Sequence, residues 1–287
     1  ECHFLGHQCC HLHDSTHVRH DHRITSSIGD PIKSIYEEID AAIGSILEHV
    51  DFSDTRVMVL ASHGMQAHYD GTFLLEDILK AQEKKGNIPH YDTTLKKIRF
   101  EKIRRLSPRV AWRLKRFIIS RHYSKFKSFP VPNNDVYGAV RINVRGREPA
   151  GRVKPGQDYE RYCDQLINGL MEFVNVTTKE PIVKRVLKTK DVFPTGTNID
   201  ALPDLLIEWN RSSPISEVYS PTAGTVKGEY KKCRTGDHSE SGMVWITGNG
   251  IPNGHVENHV CIEDLAPTIA HWLEVALPAT DGNALSL

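Results

Sequence analysis

The sequence is short of most features that mark specialised protein classes. Its six cysteines are spread over 287 residues with no CxxC pair, so neither a disulfide scaffold nor a zinc ribbon is encoded. Adjacent Cys9 and Cys10 read as small apolar packing residues, and the sparse usage favours a reducing, cytoplasmic setting. There is no apolar run of about eighteen residues, so no transmembrane helix is expected. Nor does charge of one sign dominate: 36 basic residues meet 36 acidic ones, so nothing global points to nucleic acid or a membrane surface. Internal repeats, low-complexity tracts and a signal-peptide pattern are also missing, and the first residue is Glu1 rather than methionine. Because candidate ligands crowd the very first residues, the chain reads as a fragment whose upstream part is missing.

Histidine is what the sequence has in quantity. Seven of the 16 histidines fall in ECHFLGHQCCHLHDSTHVRHDH, residues 1–22. Three short stretches set histidine beside glycine: HFLGH (3–7), SHGM (62–65) and GDHSESG (236–242). Each alone is weak, because histidine is common in turns. Read as loops that converge on one edge of an α/β sheet, together they offer imidazoles that a fold could gather around a divalent ion, leaving one coordination position open.

The rest of the chain alternates between helical and strand patterns. Ile35, Ile39, Ile43 and Leu47 recur at i+4 and predict an amphipathic helix. RVMVLA (56–61) is a short apolar run, read as a buried parallel strand, with SHGM at its C-terminal end. Helices are predicted in FLLEDILKAQEKKG, in DYERYCDQLINGLMEFV and in IEDLAPTIAHWLEVALP. Strands are predicted at VYGAVRINV (136–144), PDLLIEW (203–209) and GMVWITGNGI. From Lys96 to Lys127 the sequence holds thirteen Lys or Arg and one acid, Glu101. RVAWRLKRFIISRHY within it predicts a basic amphipathic helix, read as a solvated face of an inserted cap rather than a nucleic-acid contact.

These stretches resemble the type I phosphodiesterase/nucleotide pyrophosphatase family of the alkaline phosphatase superfamily. ECHFLGH is similar to the family's E-x-D-x-x-G-H, with His7 on the histidine and His3 where aspartate is usual. Ala61-Ser62-His63-Gly64-Met65 is similar to S-D-H-G-M, with Ser62 in place of the aspartate. GDHSESGMVWITGNGI is similar to the G-x-H-x-x-x-G motif, with His238 on the ligand position. DLAPTIAHWLEVALPATDG resembles the family's closing D-x-A-P-T segment.

The resemblance implies an α/β fold: part of an alkaline phosphatase-like sheet flanked by helices. It implies a core in residues 1–80 and 231–287, with a cap and returning core elements over 81–230. His3, His7, His63, His238 and Ser62 become the candidate metal ligands, for one or two divalent ions, zinc first and manganese second. Asp14, His17 and Asp237 are candidates for supporting these ligands. Arg141, Asn143 and Arg147, in a stretch resembling G-x-x-R-x-N-x-x-G-R, become candidate substrate contacts. The implied reaction is metal-dependent hydrolysis of a phosphate ester, diester or phosphoanhydride in a small molecule, through a metal-activated hydroxyl nucleophile. That Thr or Ser lies upstream of ECHFLGH in the family, so no catalytic residue is assigned and the chain alone is expected to be inactive. A sulfatase-like hydrolase and a non-catalytic metal- or anion-binding pseudoenzyme are the alternatives. No membrane partner is expected, nucleic acid is disfavoured, and oligomeric state is not encoded.

Overall fold

A computed structural model describes residues 2–84, 107, 123–133, 136–254 and 260–286. In chain order the helices of more than one turn are α1 (Cys2–His13), α2 (His22–Ile28), α3 (Pro31–Leu47), α4 (Leu75–Lys84), α5 (Gln157–Met171) and α6 (Leu265–Trp272). The strands are β1 (Arg56–Ala61), β2 (Gly64–Ala67), β3 (Ser128–Pro130), β4 (Tyr137–Ile142), β5 (Val174–Asn175) and β6 (Val183–Lys188), then β7 (Leu205–Trp209), β8 (Glu217–Ser220), β9 (Gly224–Lys227), β10 (Gly236–Ser239) and β11 (Met243–Gly248). The class is mixed α/β, as the sequence predicts. The chain divides into two units, residues 1–67 with 234–287, and residues 68–233.

The first unit is built on short ribbons and helices. β1 pairs antiparallel with β11, and β2 pairs antiparallel with β10. The expectation of a buried parallel strand at RVMVLA is therefore corrected. Leu60 in β1 and Met243 and Trp245 in β11 are exposed. An apolar run reports only that both strand faces are apolar; it carries no direction, and a two-stranded ribbon has one partner and little to bury against. α3 starts at a capped end: Asp30 accepts hydrogen bonds from the amides of Ile32 and Lys33, and Pro31 occupies the first helical turn. These satisfy amides that have no partner inside the helix. The predicted stripe Ile35, Ile39, Ile43 and Leu47 is half-buried, and the residues between are exposed. α6 ends at Trp272, short of the predicted helix, and Glu274 just beyond it takes a left-handed φ of 54°.

The second unit has a denser core. A four-stranded antiparallel sheet runs in the order β3-β4-β7-β6, and a three-stranded one in the order β5-β8-β9. Leu75, Ile78 and Leu79 of α4, Leu166 and Leu170 of α5, and Val140, Leu205 and Ile207 of the sheet form one buried cluster. Trp209 closes it. Its ring lies so near Gly71 and Gly138 that an added methyl group would come within 2.7 and 2.9 Å of ring carbons, which requires glycine at both. The Trp209 indole nitrogen donates to the Thr72 hydroxyl at 3.0 Å, which satisfies its buried polar edge. The basic helix predicted over RVAWRLKRFIISRHY lies outside the described residues, apart from Tyr123. No helix among the described residues is long and apolar enough to cross a membrane.

Candidate metal centre

The HFLGH stretch is helical, not a loop, and that decides its geometry. Residues four apart share a helix face, so α1 presents His3 and His7 together; His7 is buried and His3 exposed. Two glycines bring this face to β10. A methyl group on Gly6 would stand 3.0 Å from the Met65 side chain of β2. One on Gly236 would stand 2.1 Å from the Gly6 carbonyl oxygen. Thr235 fastens the contact: its amide donates to the His7 carbonyl at 2.8 Å, and its hydroxyl donates to the Gln8 carbonyl at 3.0 Å.

The GDHS stretch is strand β10, also predicted as a loop. Its pairing with β2 sets His238 opposite Met65 and Ser239 opposite Gly64. His63, immediately before β2, lies beside His238, with ring centroids 4.0 Å apart. The four imidazoles make one group. The centroid of His3 is 4.6 Å from that of His7, 5.0 Å from that of His238 and 5.5 Å from that of His63. One nitrogen from each of His3, His7 and His238 lies within 4.8 Å of the other two. Nitrogens bound at about 2.0–2.1 Å to one tetrahedral ion stand roughly 3.3 Å apart. The Nε2 atoms of His3 and His7 are 3.2 Å apart, the spacing that two imidazoles bound to one such ion would have.

Polar groups meet His7 at both ring nitrogens. Its Nδ1 lies 2.9 Å from the Gly236 carbonyl oxygen, and Arg234 Nε donates to the same Nδ1 at 2.9 Å. The carbonyl can only accept and the guanidinium can only donate, so the two contacts call for opposite tautomers. With Nδ1 protonated toward the carbonyl, Nε2 keeps its lone pair, the arrangement by which a backbone carbonyl orients a ligating histidine. Arg234 Nη2 lies 2.8 Å from Nε2. Burial holds His7 below the ordinary histidine pKa, and the neighbouring Arg234 and His3 add to the shift. His238 is lowered by burial and by His63 and His7. Both imidazoles are thus kept neutral, the form that binds metal. Asp237, buried beside them, accepts from the His238 amide at 2.8 Å and from Arg234 Nη2 at 3.3 Å.

The remaining predicted residues have other surroundings. Ser62 sits exposed in the bend between β1 and β2. Asp14 closes a turn, accepting from the Thr16 amide at 2.9 Å and its hydroxyl at 2.6 Å. His17 is buried and accepts from the Arg19 amide at 3.0 Å. In the second unit, Arg141 pairs with Glu148 at 2.5 Å and donates to the carbonyls of Asp200 and Leu202. Arg147 makes a two-pronged contact with buried Asp204, at 2.8 and 2.6 Å. Asn143 is buried and donates to the Phe126 carbonyl at 2.9 Å. All three are engaged within their own unit. Sequence reasoning missed Arg234. It stands two residues before Gly236 and belongs to no spacing pattern; a basic residue just ahead of the GDHS motif was the available signal.

No curated protein and no solved structure matches the chain. A family model for type I phosphodiesterase / nucleotide pyrophosphatase matches residues 9–239. The match takes in His63 and His238 and begins two residues after His7. It spans most of the sequence and both units, and with it the chain belongs to the type I phosphodiesterase / nucleotide pyrophosphatase family.

Proposed function

We propose that this protein is a metal-dependent hydrolase of small phosphate esters, with one zinc ion held by His3, His7 and His238. The observation that carries this reading is the convergence of three imidazole nitrogens within 4.8 Å of one another, in a family of phosphate ester hydrolases. Zinc, when bound, supplies Lewis acidity toward a phosphoryl oxygen. The chain's own residues prepare for it. The Gly236 carbonyl, 2.9 Å from His7 Nδ1, can accept from it and so leave Nε2 to the ion, and burial lowers the pKa of both His7 and His238. His63 donates from Nδ1 to the Gly64 carbonyl at 3.0 Å, which leaves its Nε2 lone pair for a ligand. Two carboxylates of the family pattern are replaced here, by His3 and Ser62. The ligand set is therefore less negative, which favours one ion over two, because charge repulsion between two ions is less offset.

Elemental analysis of the purified chain tests the reading, together with His3→Ala, His7→Ala and His238→Ala. Near-stoichiometric zinc that each variant loses supports it. Zinc content that the three substitutions leave unchanged refutes it. Hydrolysis of 4-nitrophenyl phosphate esters, compared before and after chelation, then tests the reaction class.

A further inference from the structure

We propose that the first unit carries a second binding site, a pocket around Arg56 that takes a small carboxylate with an apolar body. The pocket has a volume of about 330 Å³, and its walls include Arg56, Gly250, Ile251, Trp272, Ala284 and Leu285. That size suits a small ligand. Arg56 opens β1, whereas His63 follows its last residue, Ala61. A strand of that length spans about 17 Å, so the pocket and the histidine group are separate sites.

The Arg56 guanidinium is held at two points. A turn closes β11: the Ile251 amide donates to the Gly248 carbonyl at 3.1 Å, and Gly248 and Gly250 take φ of 116° and 72°, which glycine adopts readily. The Asn249 amide in this turn donates to the Thr55 carbonyl at 3.1 Å, and the Asn249 carbonyl accepts from Arg56 Nε at 2.7 Å. The guanidinium carbon lies 5.5 Å from the centre of the Trp272 ring, where a cation and an aromatic face attract. Neither contact uses Nη1 or Nη2, and Arg56 makes no ion pair among the described residues. Nor does the end of α6 claim them: the carbonyls of Ile269 and Ala270 accept from the amides of Leu273 and Val275. The free end of the fork can give two parallel hydrogen bonds to one carboxylate.

The apolar wall is also fixed. The Leu285 amide donates to the hydroxyl of fully buried Thr268 at 2.9 Å, and the Asn283 amide donates to the Asp264 carboxylate at 2.9 Å. Leu285 is thereby tied along α6, facing the same pocket as Ile251 and Trp272. One positioned cation beside an apolar wall matches a single negative charge on an apolar body.

Benzoate is the probe, and benzamide its uncharged counterpart. Binding to the full chain is read by saturation-transfer NMR titration, with and without added zinc, and far-UV circular dichroism checks folding. Wild type should bind benzoate at millimolar concentration, and equally with or without zinc. Benzamide on wild type, and benzoate on Arg56→Gln, should each bind about tenfold more weakly. Arg56→Lys keeps the charge without the fork and should fall between. Ala284→Trp narrows the pocket, leaves Arg56 in place and should also weaken benzoate about tenfold. No benzoate binding by wild type, equal binding of benzamide, or wild-type affinity in Arg56→Gln overturns the proposal. Affinity that depends on zinc places the anion at the histidine group and overturns it as well. Should Arg56→Gln misfold, Ala284→Trp decides: unchanged affinity there means that benzoate does not occupy this pocket.

Discussion

Gly236 crosses Gly6 so closely that a methyl group on Gly236 would stand 2.1 Å from the Gly6 carbonyl oxygen. That crossing lets the Gly236 carbonyl reach His7. The obstacle to a side chain here is backbone, which cannot swing aside. Gly236→Ala is expected to push α1 off β10, costing about 1–3 kcal/mol as other overpacked sites do, and to lower zinc content with it. A urea titration and metal analysis on the same sample check this. Wild-type stability with wild-type zinc would show that the crossing is not needed.

Acid should weaken the fold in a defined window. His7, His11, His17 and His238 are all held below the ordinary histidine pKa, with burial the largest cause in each. Their unfolded values stay near 6.5, so the unfolded chain takes up protons first as pH falls. Stability is full above about pH 7 and is lost as pH drops from about 6.5 towards the lower folded values. The lowered carboxylates, Asp14 and Asp30 among them, act later, below roughly pH 4. Urea midpoints measured without added metal between about pH 7.5 and 5.5 should fall steadily. A level profile over that range contradicts the expectation.

Asp30 serves two elements at once. It caps α3 through the amides of Ile32 and Lys33, and His13 at the end of α1 lies 2.6 Å from its other oxygen. Asp30→Ala should cost about 1–2 kcal/mol, the upper range for a lost helix cap. Asp30→Asn, which still caps, should cost less. Equal losses for the two variants would mean that the cap contributes little beside the His13 contact.

Asp204 is the buried hub of the second unit. Its oxygens accept from both terminal nitrogens of Arg147, from the Tyr159 hydroxyl at 2.8 Å and from the Ile142 amide at 2.6 Å. Burial and this carboxylate together raise the Tyr159 pKa far above its usual value, so the phenol stays a donor. Asp204→Ala leaves Arg147 with Glu148 as its carboxylate partner and removes the shared acceptor of Tyr159 and the Ile142 amide, so it should destabilise by about 3 kcal/mol. The double variant Asp204→Ala, Arg147→Met removes the under-paired charge and should regain part of that loss, as read from paired denaturant midpoints.

Local pattern was legible wherever one element decides the outcome. The α3 stripe appears at its predicted spacing. The direction of β1 was not legible, because its partner β11 begins at Met243, far along the chain. HFLGH and GDHS were read as loops because glycine and histidine favour turns. In the structure Gly6 and Gly236 serve instead to let two regular elements touch. Arg234 carries no signature, since a pairing such as its contact with His7 exists only after the chain ends of the first unit have met.

The division of the chain also sets an order of events during synthesis. Residues 68–233 are contiguous and can form their core while still near the ribosome, since domains fold as units in the order they emerge. His3, His7 and His63 are made before them, yet their fourth neighbour, His238, is made after. Until then the early histidines wait in an unfinished unit, and any ion they gather is held without its last imidazole. The four-histidine group is thus a late checkpoint, closed only when the second half of its own unit returns to meet the first.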